Sequence, residues 1–416
     1  MTKAILVLDM SYTLKMFREN RMEQALDSRR LAGYFDKVIS VHPLAGIFES
    51  GDNRFGDPVI TRLDDSHLFV EGKVGVSRTW RFAPPLNLFL AQIKLTRILL
   101  KMARELKVKV VRIGDPYYLG LMGLFLARRL RVPLVVRACF RYDEIFRLTG
   151  KPVMPRLFKF RWIEKIVERF VFPRCDLIAG ANEDNMRYAL ENGGRPDVAT
   201  VFRYGNLIHK DHWQEPAVRS DGDTQLAGLG IKDEKVLATV SRLVPMKLIE
   251  DMIRVVAELI KRGRRVKGLI IGDGPIRKEL EALATSLKVE DAVIFAGNRA
   301  QEWIAAVLPK ATAIISPHMG RALVESALAG VPIIAYDYDW QREVVVDGET
   351  GYLVPNRDWM ALADRIDSIL ASPADGKKMG KNAREKVLTL MDPEKSALHE
   401  QNEYSKVLAR AYEKVY

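Results

Sequence analysis

Arg242 and Lys247 stand close together in TVSRLVPMK, directly after an apolar run that reads as a buried strand. Two cations fixed in a loop at a strand end can neutralise a diphosphate, and they matter most when that group departs and its charge grows. A plainer reading, two solvated loop side chains, fits the same pair equally. Further on, SPHMGRALVESALAGVPIIAYD, residues 316–337, sets Gly320 before a helix start near Arg321 and places Glu325 one turn inside. A carboxylate there can accept hydrogen bonds from vicinal hydroxyls such as those of a ribose, with the helix N-terminus facing phosphate; alternatively it stabilises only its own helix. Between the two stretches lies IIGDGPIRKELEAL, where Gly272 and Gly274 permit a tight strand-to-helix turn and Pro275 takes the first helical position. That pattern is common to many α/β turns that bind nothing.

These residues can act together only if something brings their loops to one place. Apolar runs rich in Val and Ile alternate along the chain with longer stretches of helical period, the pattern of parallel strands covered on both faces. In the first half strands are expected at 4–8, 38–41, 108–113, 133–137 and 177–179, with helical patterns such as LFLAQIKLTRILLKMARELK and LGLMGLFLARRL between them. In the second half they are expected at 236–240, 266–271, 292–295, 313–315 and 332–336, separated by helices that end near Gly263 and Gly330. The expected fold class is α/β, with two Rossmann-like doubly wound domains facing across a cleft. Residues 1–205 make the first domain and residues 206–392 the second, while a last helix over 393–416 is expected to pack back on the first. The polar, glycine-containing stretch 214–234 reads as a linker or long loop. Ligands of such sheets bind beyond the carboxyl ends of the strands, so the loops that carry these residues should converge on one site.

Taken in order, SRLVPMK, IIGDGP, VIFAGN, GRALVESALAGVPIIA and EVVVDGETGYLVP resemble the C-terminal domain of glycosyltransferase family 4, retaining enzymes of the two-Rossmann (GT-B) fold. The resemblance covers about residues 236–369 and is much looser over the first half. It implies that Arg242 and Lys247 act on the diphosphate of a nucleotide diphosphate sugar, the donor substrate, and that Glu325 holds its ribose. It also implies that Gly320, Arg321, Ala322 and Leu323 meet the phosphate and the sugar, and that Gly297 and Asn298 begin the loop that binds the base. The family has two glutamates eight positions apart, and eight before Glu325 stands Pro317, whose side chain accepts no hydrogen bond. His318 or Arg321 is the candidate to compensate, although a lone loop histidine also fits local packing or capping. Ser241 replaces a common glycine, the Gly-Gly loop after the first strand is absent, and RACFRYDE stands where a histidine often faces the donor. No cofactor and no metal are expected. Asp337-Tyr338-Asp339 has the spacing of an Asp-x-Asp metal site but reads as a solvated loop, and His209 and His212 have too few partners for zinc.

The 416 residues carry a net charge of +12, and the excess lies in the first half, densest over residues 94–174, where 20 basic residues face six acidic ones. Such a field attracts an anionic partner. The segment RLFKFRWIEKIVERFVFPR, residues 156–174, has two readings: a surface helix inserting Leu157, Phe158, Trp162 and Phe170 into an anionic membrane, or a core-facing helix with its charged side in solvent. Hydrophobic residues at 48 % and charged residues at 28 % exclude disordered and fibrous classes. Even a long charge-free run such as residues 116–127 is far short of the roughly 20 apolar residues a spanning helix needs. MTKAILVLDM reads as a first buried strand with no signal-peptide cleavage region, so the expected location is cytoplasmic, peripheral on the inner face of the cell membrane. Cys139 and Cys175 read as buried thiols. No nucleic-acid partner is expected, because the basic excess lacks a recognition motif. The expected activity is metal-independent transfer of a hexose-type sugar from a nucleotide diphosphate sugar to a hydroxyl of a lipid-linked or surface glycan. Two rivals stay open: a nucleotide-sugar epimerase of the same architecture, and a non-catalytic protein that binds nucleotide sugar or glycan.

Overall fold

The computed structural model describes residues 3–19, 22–216 and 221–413. The chain divides into two compact units, Met1–Leu207 with Glu394–Tyr416, and Ile208–Pro393. The first unit holds eight strands: β1 (Ala4–Leu8), β2 (Lys37–His42), β3 (Val59–Arg62), β4 (His67–Glu71), β5 (Val108–Ile113), β6 (Leu134–Ala138), β7 (Leu177–Gly180) and β8 (Ala199–Val201). Their order is β3-β4-β2-β1-β5-β6-β7-β8, parallel throughout except for β3 against β4. Every residue of β1 is buried, and alternate side chains face opposite layers. Ala4, Leu6 and Leu8 join a core with Leu95, Leu99 and Leu126, while Ile5 and Val7 join Phe35, Phe202 and Tyr404. Tyr404 belongs to the helix Pro393–Glu413, which also donates from Gln401 to the Leu31 carbonyl at 3.1 Å.

Three strands of this sheet, β3, β4 and β8, lie outside the expected set. β3 and β8 are its edges, and β3 is largely exposed, so neither carries the continuous apolar run of a strand buried on both faces. β6 starts at Leu134 because Pro133 has no N–H to give the ladder, although its carbonyl still accepts from Val111 at 3.1 Å. The helix Pro84–Glu105 opens with two prolines and buries Ala91, Leu95, Leu99 and Ala103 at four-residue spacing, one stripe against the sheet.

The second unit is a six-stranded parallel sheet: β9 (Lys235–Val240), β10 (Val266–Ile271), β11 (Val293–Gly297), β12 (Ala313–Ser316), β13 (Ile333–Tyr336) and β14 (Gly351–Val354), ordered β11-β10-β9-β12-β13-β14. β14 is the edge strand that the pattern of apolar runs misses. The stretch 214–234 is not simply a linker. Residues 217–220 lie outside the described residues, but Gly222–Gly228 is a helix within the second unit. A Cβ on Gly222 would lie 2.2 Å from the Ala306 carbonyl, and Gln225 accepts from Trp303 Nε1 at 2.7 Å, which shows how closely this helix packs on the helix Gln301–Val307.

Candidate active site

In the second sheet the strand order reverses at β9. The chain proceeds from β9 outward through β10 and β11, then returns to the other side of β9 with β12. In a parallel sheet this reversal leaves a crevice beyond the carboxyl ends of the two adjacent strands. The loop after β9 carries Arg242 and Lys247, and the loop after β12 carries Pro317, His318, Gly320 and Arg321. Arg242 is exposed and Lys247 half-buried. Burial depresses the Lys247 ammonium below the ordinary lysine value; the Asp339 carboxylate opposes that fall and the Arg242 guanidinium adds to it.

The two glycines after β10 have a definite task here. Gly272 has φ +135°, and a Cβ on it would sit 1.9 Å from the Ser241 carbonyl; a Cβ on Gly274 would sit 2.2 Å from that of Leu243. Backbone bonds from Leu243 to Asp273 (3.0 Å) and from Gly272 to Gly297 (2.9 Å) tie the three loops in series. The Arg242 loop is therefore braced from beneath by backbone that no side chain separates. Gly297 ends β11 in a left-handed conformation (φ +70°) and Asn298 beyond it is exposed, two strands away from β9 along the same edge.

The helix Ala322–Leu328 carries Glu325, 2 % exposed, whose Oε1 lies 3.3 Å from Arg321 Nε. Gly320, Arg321 and Ala322 are half-buried, and a Cβ at Gly320 would meet nothing within 4 Å. Leu323 differs from the others: its side chain is in the core and its amide closes a turn onto the Gly320 carbonyl at 2.9 Å. His318 faces inward. Its Nδ1 is 2.9 Å from the Met246 carbonyl, beside Lys247, and its Nε2 is 3.2 Å from Asp339 Oδ2.

Asp339 was expected in a solvated loop, and its pairing with His318 corrects that. The Asp-x-Asp spacing itself makes no clamp, because Asp337 is held by Arg342 at 3.0 and 2.5 Å. Gln341, which the sequence reading missed, is fully buried: it accepts from the Ser316 hydroxyl and donates to the carbonyls of Pro317 (3.2 Å) and Tyr336 (3.1 Å). A lone glutamine opening the short helix Gln341–Val344 gives no signal in one sequence; only the fold shows it joining the ends of β12 and β13. His209 gains a further neighbour besides Asp211 (3.8 Å), namely Glu302 at 3.6 Å, from a helix far along the chain. These three form the one group of metal-type side chains within 4.8 Å of one another among the described residues, while His212 instead bonds Gln301 at 2.9 Å.

The first unit reverses its strand order at β1, between β2 and β5. Asp9 follows β1 and pairs with Arg29 at 2.5 Å; Asp115 follows β5 and accepts the Tyr117 amide at 2.8 Å. Burial pushes the Asp115 carboxyl up to about 7. Cys139, expected to be buried, is only half-buried at the end of β6, whereas Cys175 is buried.

In the basic segment, the helix Arg161–Val171 buries charged residues beside the core-facing Val167 and Val171. It buries Arg161, Glu164 and Glu168 in a network with Tyr117, Tyr188 and Asp143, and turns Trp162 (62 % exposed), Ile166 (58 %) and Phe170 (40 %) outward. Leu157 and Phe160 are exposed too, but Phe158 packs against the core, which corrects its expected outward position. The helix does face the core, through Val167 and Val171, but most of its charges lie inside the paired network and not in solvent.

The model of the family described as "Glycosyl transferases group 1" matches residues 222–386. Among curated proteins, the chain is 25 % identical over 280 residues to "Alpha-monoglucosyldiacylglycerol synthase" of Streptococcus pneumoniae, covering 66 % of this chain and 62 % of that protein. It is 29 % identical over 181 residues to "N-acetyl-alpha-D-glucosaminyl L-malate synthase" of Bacillus anthracis, covering 42 % of this chain and 47 % of that one. The matched segments thus span less than two thirds of either relative's length. Among solved structures, sucrose-phosphate synthase of Thermosynechococcus elongatus superposes with a TM-score of 0.76 at 19 % identity, covering 98 % of this chain and 100 % of the other. HepE of Anabaena, in complex with UDP and glucose, gives 0.70 at 19 %, covering 97 % and 99 %. Residues 222–386 thus match the group 1 glycosyl transferase family, and the chain as a whole carries the two-Rossmann fold of the solved structures it superposes on.

Proposed function

We propose that this protein is a retaining glycosyltransferase that moves a sugar from a nucleotide diphosphate sugar to a hydroxyl of a lipid-linked or surface glycan. The observation that carries the reading is the reversal of strand order between β9 and β12, with Arg242 and Lys247 leaving one strand and the Glu325 loop the other. A lysine whose charge is disfavoured by burial, beside a second cation, suits an incoming diphosphate. As the anomeric bond breaks, negative charge grows on the diphosphate, so Arg242 and Lys247 stabilise the transition state more than the bound donor. Glu325 grips the ribose, which requires its Arg321 contact to give way or to share the carboxylate. Gly320, Arg321 and Ala322 lie along the phosphate and sugar, and Gly297 with Asn298 marks the base end of the edge. The two curated relatives named above are synthases of a glucosyl and a glucosaminyl compound by name, and the matching family model is of glycosyl transferases, which favours this reading over an epimerase.

The outward aromatic residues support a place for the protein on an anionic membrane from the cytoplasmic side. Arg174 lies 4.0 Å from the Phe170 ring centre and Lys159 5.5 Å from that of Phe160, so exposed rings and cations alternate as in an interfacial segment. Among the described residues no helix is long and apolar enough to cross a membrane. The test of function is release of free nucleoside diphosphate from a nucleotide sugar. Release should depend on a glycolipid acceptor and fall at least about 100-fold in Lys247→Ala or Glu325→Ala with the fold retained. Release at near-normal rates in both variants, or sugar interconversion that needs no acceptor, would remove the assignment.

A further inference from the structure

The sugar end of this site lacks an obvious acceptor. Pro317 has none on its side chain, and its carbonyl already accepts from Gln341. The loop after β13 approaches this point from the neighbouring strand and is fixed there by three successive contacts. Asp339 Oδ2 meets His318 Nε2 at 3.2 Å, Trp340 Nε1 donates to the Met319 carbonyl at 3.3 Å, and Gln341 bonds Ser316 and Pro317. Asp339 has φ +57°, a left-handed conformation that is unfavourable for most residues and is held here by those contacts. His318 bridges the Met246 carbonyl and the Asp339 carboxylate through its two ring nitrogens. The ring thus ties the Lys247 loop, the loop after β12 and Asp339 together. The Asp339 side chain nevertheless keeps 25 % of its surface exposed, enough to meet a ligand.

Resting on the donor reading above, we infer that Asp339, held in place by His318, is the carboxylate that binds the hydroxyls of the donor sugar where Pro317 cannot. Its oxygens accept from sugar hydroxyls as a charged acceptor, and His318 is a positioning residue that acts through it. A carboxylate accepts from hydroxyls but offers no donor to a diphosphate oxygen, so the direct contact of Asp339 belongs to the sugar.

The test is isothermal titration of wild type, Asp339→Asn and Asp339→Gly with UDP, GDP and ADP and with UDP-glucose, GDP-mannose and ADP-glucose. Asn and Gly both accept a positive φ, so the loop is kept while the carboxylate is removed. The expected result is that the wild type binds one diphosphate and its sugar-bearing form. In both variants the affinity for the bare diphosphate should stay within about twofold, while the ratio of sugar-bearing to bare affinity falls about tenfold. An unchanged ratio, or loss of diphosphate and sugar-bearing forms alike, overturns the role of Asp339 while leaving the donor reading intact. Failure of the wild type to bind any of the six overturns the donor reading itself.

Discussion

Asp115 shows what a single side chain at a strand end contributes and at what pH. Its carboxyl is raised from 3.8 to about 7, so the folded chain holds a proton that the unfolded chain releases. Stability linked to this group is therefore fully present below about pH 4 and is lost as the pH rises towards 7. Asp115→Asn removes the penalty of an enclosed charge. The variant should gain on the order of 1–3 kcal/mol over wild type at pH 8 relative to pH 4.5, read by urea unfolding at the two values. Parallel pH profiles for the two proteins would mean that the carboxyl is not enclosed. Residues of this kind are partly legible in sequence. Arg242 and Lys247 stand out because a buried run stops just before them. Asp339 does not, because its partner His318 is 21 positions away on another strand end and only the sheet makes them neighbours.

Among elements, the helix Arg161–Val171 is the plainest case of period without direction. Its spacing of charged and apolar residues is clear from sequence, but which stripe faces inward depends on whether the charges find partners. Here Glu168 accepts from Tyr188 (2.7 Å) and from the Tyr117 hydroxyl, while Arg161 bonds Glu164 at 3.0 Å; a fully paired network tolerates burial. Val167 and Val171 still pack into the core, and Trp162, Ile166 and Phe170 are left for solvent or lipid. Replacing Trp162 and Ile166 together by Glu should weaken binding to vesicles containing anionic lipid at least about tenfold in co-sedimentation. The thermal midpoint should hardly move, since both residues are more than half exposed. Equal binding by wild type and variant would remove this helix from any membrane contact. The strands follow the same logic. Those buried on both faces show as Val and Ile runs, whereas the edges β3, β8 and β14 are short and incompletely buried, and the fold alone reveals them.

At the scale of the whole molecule the two units divide the properties that sequence already separates. The first holds the basic excess and the outward aromatic residues; the second holds the paired cations, the buried Glu325 and the glycine-braced loops. Each sheet reverses its order at its first strand, and this places chemistry-bearing residues at two carboxyl edges built by the same rule. The alternation of runs and helices suffices to read two doubly wound units from sequence. It does not reveal a helix at Gly222–Gly228, because a short polar segment closing on a neighbour through a glycine has no periodic signature. In the proposed function the edge between β9 and β12 grips a nucleotide diphosphate sugar through Arg242, Lys247 and Glu325. The most direct measurement is the thermal midpoint of wild type, Lys247→Ala and Glu325→Ala against uridine, guanosine and adenosine diphosphate sugars. Donors of one base should raise the wild-type midpoint and leave both variants nearly unmoved. No shift of the wild type with any donor, or shifts of equal size in all three proteins, would contradict it.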